Sequence, residues 1–166
     1  MTVFEAIRDR RSIRSYKSDP IPAEKLDICL EAMRIASSGG NRQPWKFILV
    51  EDADLRTKMV AACNGQGFVG EAPLIIVGCA LPSTSEKGAY VNLSIPIDHL
   101  QLIAHEQGLG TCWIGAFQEE DVKNLLGIPE DVRVVHVMTI GFPAAPGTER
   151  PRKAKEEIFV TDRWVD

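Results

Sequence analysis

Arginine is concentrated near the two ends of this chain, and clustered arginine has the chemistry of an anion site. One cluster occupies residues 10–14 and the other residues 150–153. Residues 1–17 carry five Lys or Arg against two acids, and residues 147–155 carry four against one, whereas the whole chain has a net charge of −4. A planar guanidinium donates paired hydrogen bonds to phosphate oxygens. The pattern favours one phosphate-bearing ligand shared by both ends, although either cluster alone is also typical of a solvated charged surface.

Two segments between these ends combine small residues with hydrogen-bonding side chains. Residues 37–45 read Ser-Ser-Gly-Gly-Asn-Arg-Gln-Pro-Trp, and residues 108–115 read Gly-Leu-Gly-Thr-Cys-Trp-Ile-Gly. Small residues let backbone N–H groups approach a ligand, and Asn and Gln offer donors and acceptors to a heteroaromatic edge. The Gly-x-Gly at residue 108 lacks the Gly-x-Gly-x-x-Gly continuation and precedes a predicted strand. This disfavours a Rossmann dinucleotide site or a P-loop.

No pattern for hydrolysis or metal binding stands out in the sequence. His99, His105 and His136 are the only histidines, and none lies in a His-Glu-x-x-His motif. There is no Gly-x-Ser-x-Gly nucleophile elbow. We therefore expect no metal site and no catalytic side chain, and we expect the reactivity to belong to a bound cofactor that the protein orients.

The elements that must position these segments are interleaved helices and strands, which indicates an α+β or α/β fold. Thr2 and Glu5 form a predicted capping box, so the first helix delivers the N-terminal arginines from its C-terminal end. At 166 residues, a single domain over 1–166 is the simplest expectation. Residues 37–41 are predicted to be a loop. Hydrophobic periodicity predicts helices over 3–9, 22–36, 54–62, 91–107 and 119–126, and strands over 47–50, 74–79, 111–115 and 134–140.

Composition and charge disfavour several classes of protein. The apolar runs are too short for a membrane span, and the acidic balance disfavours a nucleic-acid partner despite the two basic ends. The four cysteines show no Cys-x-x-Cys pairing, and we expect them to be buried thiols in a reducing compartment. The first residues lack a basic-then-apolar leader. We therefore expect a cytoplasmic protein.

The last residues of the chain are unusually apolar for a terminus. Ile158, Phe159, Val160, Trp164 and Val165 close a tail with little predicted regular structure. Such a tail frays unless it docks on something. Two alternatives stay open: the tail packs on its own domain, or it wraps a second subunit.

Five segments occur in the order seen in FMN-dependent nitroreductases, and the chain resembles that family over essentially its whole length. They are Arg-Arg-Ser-x-Arg at 10–14, Asn-x-Gln-Pro-Trp at 41–45, Ala-Pro-Leu-Ile-Ile-Val at 72–77, Gly-Leu-Gly-Thr-Cys-Trp-Ile-Gly at 108–115 and Pro-Arg-Lys-x-x-Glu-Glu at 151–157.

The resemblance implies an α+β nitroreductase-like fold, with a central, mostly antiparallel sheet flanked by helices. It also implies an interlocked homodimer that holds FMN at the subunit interface and lays each C-terminal tail on the partner. Members of the family oxidise NADH or NADPH and pass the reducing equivalents to nitroaromatics, quinones or related small molecules in a ping-pong cycle. Flavin-dependent dehydrogenation, dehalogenation or flavin breakdown stays open as an alternative, as does a non-catalytic FMN-binding module.

The resemblance also assigns roles to residues. Arg10, Ser12 and Arg14, with Arg11 in the same set, are expected to contact the FMN phosphate, ribityl chain and ring edge. Ser38 and Asn41 are expected to approach the cofactor from the second loop, which Gln43 helps to shape. The backbone of Ile114 and Gly115 is expected to meet the flavin N5, and Arg150 and Arg152 to return to the phosphate. Trp113 and Phe68 are candidates to line the substrate pocket, but core positions are the favoured expectation for both.

Overall fold

A four-stranded sheet of strand order β1-β2-β4-β3 forms the centre of the fold, and every neighbouring pair of strands is antiparallel. The computed structural model describes residues 1–82 and 84–164. The strands are β1 (Trp45–Val50), β2 (Leu74–Ala80), β3 (Gly110–Ile114) and β4 (Arg133–Gly141). The helices are α1 (Val3–Asp9), α2 (Ala23–Arg34), α3 (Ala53–Ala62), α4 (Phe68–Glu71), α5 (Glu86–Glu106) and α6 (Glu119–Leu126). The predicted α+β fold class is confirmed.

The sheet is covered by helices on both faces, which explains the continuous apolar runs of its two inner strands. All seven residues of β2 are buried. Its side chains alternate between two cores, as the period of a strand requires. Ile76 packs with α2 and α5 on one face, while Ile75 and Val77 pack with α3 and α6 on the other. Strands buried on both faces read as unbroken hydrophobic runs.

The capping box predicted for the first helix is present. Glu5 N donates to Thr2 Oγ1 at 3.2 Å, and Thr2 N donates to Glu5 Oε2 at 2.7 Å. These two bonds satisfy donors that the first turn of a helix leaves free. The helix ends at Asp9, so residues 10–14 leave it in extended form.

The central helix α5 begins earlier than its periodicity predicts, at Glu86 instead of residue 91. Ser85 caps it by accepting a hydrogen bond from Gly88 N at 3.2 Å. The polar first turn gives no apolar repeat, so only the buried positions further along reveal the helix. Leu93, Ile97 and Leu100 are completely buried, so this helix is a central part of the core.

Other differences arise where the elements are short. The four-residue helix α4 was not predicted, because it is too short to show a period. The predicted loop contains a single 3₁₀ turn, Gly39–Asn41. The third strand ends at Ile114, so Gly115 lies just outside the sheet.

The described apolar side chains of the C-terminal tail are largely exposed on their own chain, which favours the second of the two alternatives. Phe159 is 71% exposed and Trp164 84% exposed, and Ile158 and Val160 are also exposed. Val165 lies outside the described residues.

Across residues 1–82 and 84–164, no helix has the length and apolar character that crossing a membrane requires.

Candidate functional site

The two arginine-rich ends line one cavity of about 420 Å³, here called the arginine cavity. Six arginines and one carboxylate face it, together with the exposed apolar side of α1. The arginines are Arg8, Arg10, Arg11, Arg14, Arg150 and Arg152, and the carboxylate is that of Glu149. The structure therefore brings residues from opposite ends of the chain into one strongly positive site.

The N-terminal arginines are held because the residues between them are anchored to the sheet. Ser12 forms a parallel bridge with Thr111 on β3, and Ile13 N donates to Thr111 O at 2.9 Å. Ile13 and Tyr16 are buried. Tyr16 Oη donates to Ile13 O at 2.8 Å and bonds Thr139 Oγ1 at 2.8 Å. Burial raises the pKa of the Tyr16 phenol well above its usual value, so it stays a protonated donor.

Two glycines allow the backbone to approach closely enough to build the cavity. A Cβ at Gly110 would overlap the side chain of Ile13, and a Cβ at Gly147 would overlap that of Arg11. The same Cβ at Gly147 would lie 3.0 Å from Ser12 O. The C-terminal segment can therefore lie directly against the N-terminal one only because residue 147 has no side chain.

The guanidinium groups of the arginine cavity differ in their hydrogen bonds. Arg11 Nη1 donates to Arg8 O at 2.7 Å and to Arg10 O at 3.0 Å, and Arg152 Nη1 donates to Arg150 O at 3.2 Å. Among the described residues, Arg10, Arg14 and Arg150 form no salt bridge. The cavity thus holds cations that no carboxylate in the described part of the chain neutralises.

Arg10 carries the most informative atom of the site. Its Nε is buried and finds no hydrogen-bond partner among the described residues. A buried donor without a partner costs free energy, and the cost is larger on a charged group. The guanidinium of Arg10, which also lines the arginine cavity, therefore keeps one unsatisfied donor among the described residues.

The loop 38–43 is ordered by its own side chains and is strained. Ser38 Oγ accepts from Gln43 N at 2.9 Å, and Gln43 Nε2 donates to Asn41 Oδ1 at 3.3 Å. Asn41 and Gln43 have φ angles of 52° and 48°, in the left-handed region that disfavours side chains other than glycine. Such strain often accompanies binding sites. Within this chain, however, the predicted residues Ser38, Asn41 and Gln43 do not line the arginine cavity.

The predicted backbone site at the end of β3 is also outside that cavity. Ile114 is buried and pairs with Val137, while Gly115 is exposed. A Cβ at Gly115 would meet nothing within 4 Å. The packing of this chain therefore gives no reason for glycine at 115, and the backbone there is open to a ligand or a partner.

Trp113 and Phe68 both pack against the buried core, as predicted. Trp113 has a polar partner that the sequence analysis missed, because its Nε1 donates to His136 Nδ1 at 3.2 Å. The two rings meet edge to face with centroids 4.6 Å apart. The sequence does contain a signal for this contact, because a histidine in an otherwise apolar strand needs a polar partner.

Neither a metal-binding group nor an activated thiol is found among the described residues. No group of three or more His, Cys, Asp or Glu residues there is arranged to hold a metal ion. All four cysteines are free and buried. Burial raises the pKa of Cys29, Cys63 and Cys79 to about 11, so these thiols stay protonated and are poor nucleophiles at neutral pH.

Sequence comparison places these features among known proteins. A chain from Methanothermobacter thermautotrophicus, provisionally named an NADH dehydrogenase/NAD(P)H nitroreductase, is 36% identical over 98% of this chain and 85% of its own length. An FMN reductase [NAD(P)H] from Bacillus subtilis is 29% identical over 99% of this chain and 75% of its own length.

Solved structures with a similar fold also match this chain. The hypothetical oxidoreductase YcnD from Bacillus subtilis superposes with a TM-score of 0.92 at 27% identity, covering 100% of this chain and 76% of that one. A profile described as "Nitroreductase family" matches residues 7–80 and 60–142. The two matches together span most of the chain, including all four strands and the segment 108–115. This chain therefore belongs to the nitroreductase family.

Proposed function

We propose that this protein is a cytoplasmic, homodimeric, FMN-dependent oxidoreductase. It takes reducing equivalents from NADH or NADPH and passes them to a small-molecule acceptor such as a nitroaromatic or a quinone. The observation that carries this proposal is the arginine cavity, in a chain that belongs to the nitroreductase family.

The residues of the arginine cavity fit the phosphate of FMN. A phosphate dianion is matched by unneutralised guanidinium groups, and the buried Nε of Arg10 lacks a partner among the described residues. Each hydrogen bond to a charged phosphate contributes about 1.5–3 kcal/mol net. Three or four arginines are therefore sufficient to hold the cofactor tightly. When bound, FMN would supply the redox chemistry between the nicotinamide and the acceptor.

The protein's own contribution is to bind and orient. In this proposal Arg10, Arg14, Arg150 and Arg152 hold the phosphate, and Ser12 contacts the ribityl chain. Arg11 is committed to the carbonyls of Arg8 and Arg10 and forms the wall of the cavity.

The remaining predicted residues act on the ring of the cofactor. The backbone at Ile114 and Gly115 would supply a donor to flavin N5, where a donor stabilises the reduced ring. Ser38, Asn41 and Gln43 do not line the arginine cavity of their own chain. In the proposed dimer, their loop would approach the cofactor from the partner subunit.

Exposed apolar surface supports the homodimer. Val3, Phe4 and Ile7 on α1 are 72%, 69% and 54% exposed, and the tail adds Phe159 at 71%. Clustered apolar side chains on a surface mark an interaction site. Burial of this surface by a second copy would also complete the cofactor site with the loop 38–43.

The proposed function is tested by the absorbance spectrum of the purified protein, reconstituted with FMN and titrated anaerobically with NADH and then NADPH. We expect flavin bands that bleach with at least one donor and return when a quinone or nitroaromatic is added. Flavin that stays oxidised would indicate a non-catalytic module. Permanent bleaching would indicate flavin breakdown, and halide release from a halogenated aromatic would indicate dehalogenation. No flavin after reconstitution would overturn the proposal.

A further inference from the structure

A buried histidine links the end of β3 to the central helix. His136, on β4, is 6% exposed. Trp113 Nε1 donates to its Nδ1 at 3.2 Å, and its Nε2 lies 3.1 Å from Ser94 Oγ on α5. Ser94 Oγ in turn donates to Tyr90 O at 2.7 Å. The three bonds connect the strand end to the first half of α5.

The direction of each hydrogen bond in this series is determined by the groups at its ends. An indole nitrogen can only donate, so His136 Nδ1 is an acceptor. The neutral imidazole then carries its proton on Nε2 and donates to Ser94 Oγ, whose own proton goes to Tyr90 O. Burial lowers the pKa of His136 to about 4, so the imidazole is neutral at neutral pH. Every donor and acceptor in the series is satisfied.

The position of Trp113 in the sheet shows which part of the chain these hydrogen bonds hold in place. On β4 the partner of Trp113 is Met138 and that of Ile114 is Val137, and the ladder between the two strands ends there. His136 lies one residue beyond that last pair. The indole therefore reaches diagonally across the strands, a distance that aromatic side chains can span. Its hydrogen bond links β3 to β4 at the point where the chain leaves the sheet.

The chain beyond that point is anchored again only after Gly115. Gln66 Nε2 donates to Ala116 O at 3.0 Å, and Gln118 N donates to Ala62 O at 2.8 Å. Ile114 and Gly115 thus lie between two anchors, with the exposed backbone of Gly115 in the middle. A donor aimed at a reacting atom must be fixed before the reaction, because reorganisation during it is costly.

We propose that His136 is a positioning residue of the oxidoreductase: it fixes the Trp113 indole, and through it the backbone of Ile114 and Gly115. This inference rests on the proposed function, in which that backbone faces flavin N5. His136 itself is buried and does not line the arginine cavity. Its effect is on the placement of a backbone donor, so it should alter the chemistry of bound FMN more than the affinity for FMN.

The test compares His136→Phe, Trp113→Phe and the double variant with the wild-type holoprotein. The control is His99→Phe, which changes a histidine on α5 whose Nδ1 lies 3.3 Å from Ala32 O. Three quantities are measured: the rate of flavin reduction by NADH or NADPH in a single turnover, the midpoint potential of bound FMN, and the Kd of FMN. The indole N–H resonance of Trp113, assigned by its loss in Trp113→Phe, reports directly on the hydrogen bond.

We expect each of the two single variants to slow flavin reduction by about tenfold or more and to make the potential more negative, since a misplaced donor stabilises the reduced ring less. The Kd of FMN should change by less than about threefold, because the arginine cavity is untouched. The double variant should be no slower than either single one. His136→Asn, whose Oδ1 can take the place of Nδ1 as acceptor, should recover most of the rate, and His99→Phe should match the wild type.

The inference is overturned if His136→Phe shifts the indole resonance while rate and potential stay at wild-type values, or if the two effects multiply in the double variant. If His136→Phe does not fold, Trp113→Phe decides, and a wild-type rate in that variant overturns the inference. Failure of the proposed function looks different. In that case the wild-type protein itself binds no FMN or is not reduced by either nicotinamide.

Discussion

Arg11 and Glu149 form an ion pair, with Nη2 and Oε1 3.4 Å apart, that joins the N-terminal arginine segment to the C-terminal one. The Glu149 side chain is 83% exposed, and exposed pairs of this kind contribute about 1 kcal/mol or less to stability. The pair therefore matters less for the fold than for the charge of the site. Glu149 is the one carboxylate among the described residues that line the arginine cavity.

Replacing Glu149 by Gln should tighten FMN binding. The change removes the charge of the one carboxylate that lines the arginine cavity among the described residues, and it leaves Arg11 anchored by backbone carbonyls. We expect the Kd of FMN to fall about two- to fivefold at low salt, and the gain to shrink as salt screens the charges. Fluorescence titration of the apoprotein with FMN at two salt concentrations measures both effects. A weaker binding at every salt concentration would show that the ion pair is needed to hold the two segments together.

Removing one arginine of the cavity should weaken the binding of FMN without unfolding the protein. Arg14→Ala and Arg152→Ala each delete hydrogen bonds to a charged phosphate, so we expect the Kd of FMN to rise about 10- to 150-fold in each. Both variants should purify folded and largely colourless. The control is Arg34→Ala, which removes an exposed arginine paired with Glu31 instead. If both cavity variants purify with full flavin, the assignment of these positions is wrong.

Gly147→Ala should separate the two arginine segments. The new Cβ would overlap Arg11, and overpacking of this kind costs about 1–3 kcal/mol. The displaced segment carries Arg150 and Arg152, so we expect the Kd of FMN to rise by about tenfold or more. Gly67→Ala is the matched control, because a Cβ there meets nothing within 4 Å. Equal FMN affinity in the two variants would mean that residue 147 does not set the geometry of the cavity.

The sequence predicted those parts of the structure whose residues carry a local signal. The apolar run at residues 74–79 became the buried strand β2, and α6 ends at Leu126 as predicted, just before Gly127, whose φ of 64° favours glycine. The two arginine segments share a cavity, which their concentrated positive charge in an acidic chain predicted. A signal of composition or pattern was sufficient for each of these.

The rest depended on contacts between distant residues. Nothing local distinguishes Arg11, which is anchored by backbone carbonyls, from Arg14, which forms no salt bridge among the described residues. The role of His136 depends on Trp113 lying diagonally opposite it, and that position is set by the register of β3 on β4. The proposed docking of the tail depends on a surface of the folded chain that no local pattern specifies. The pattern of a single sequence does not show which distant residues contact one another.

Deleting the tail after Glu157 should dissociate the protein and release FMN. The tail's apolar side chains are exposed on their own chain, so the proposed dimer is what buries them. We expect the molar mass by light scattering to halve and the ratio of flavin to protein to fall together. Phe159→Ser should reproduce part of the effect, whereas Thr161→Ala in the same tail should not. An unchanged mass with full flavin content would contradict the proposed role of the tail.

His136 should make the protein sensitive to mild acid. Burial lowers its pKa from 6.5 to about 4, so the unfolded chain binds a proton more readily than the folded one between these values. The stability that comes from keeping this imidazole neutral is therefore complete above about pH 6.5 and is lost as the pH falls toward 4. Between about pH 7.5 and about pH 5 the loss amounts to about 2 kcal/mol of unfolding free energy. Urea unfolding of the wild type and of His136→Phe at both pH values measures it, since the variant has no group to protonate at this position. The variant should lose less stability than the wild type by about that amount, and an equal loss in the two proteins would show that His136 is not buried as a neutral imidazole in solution.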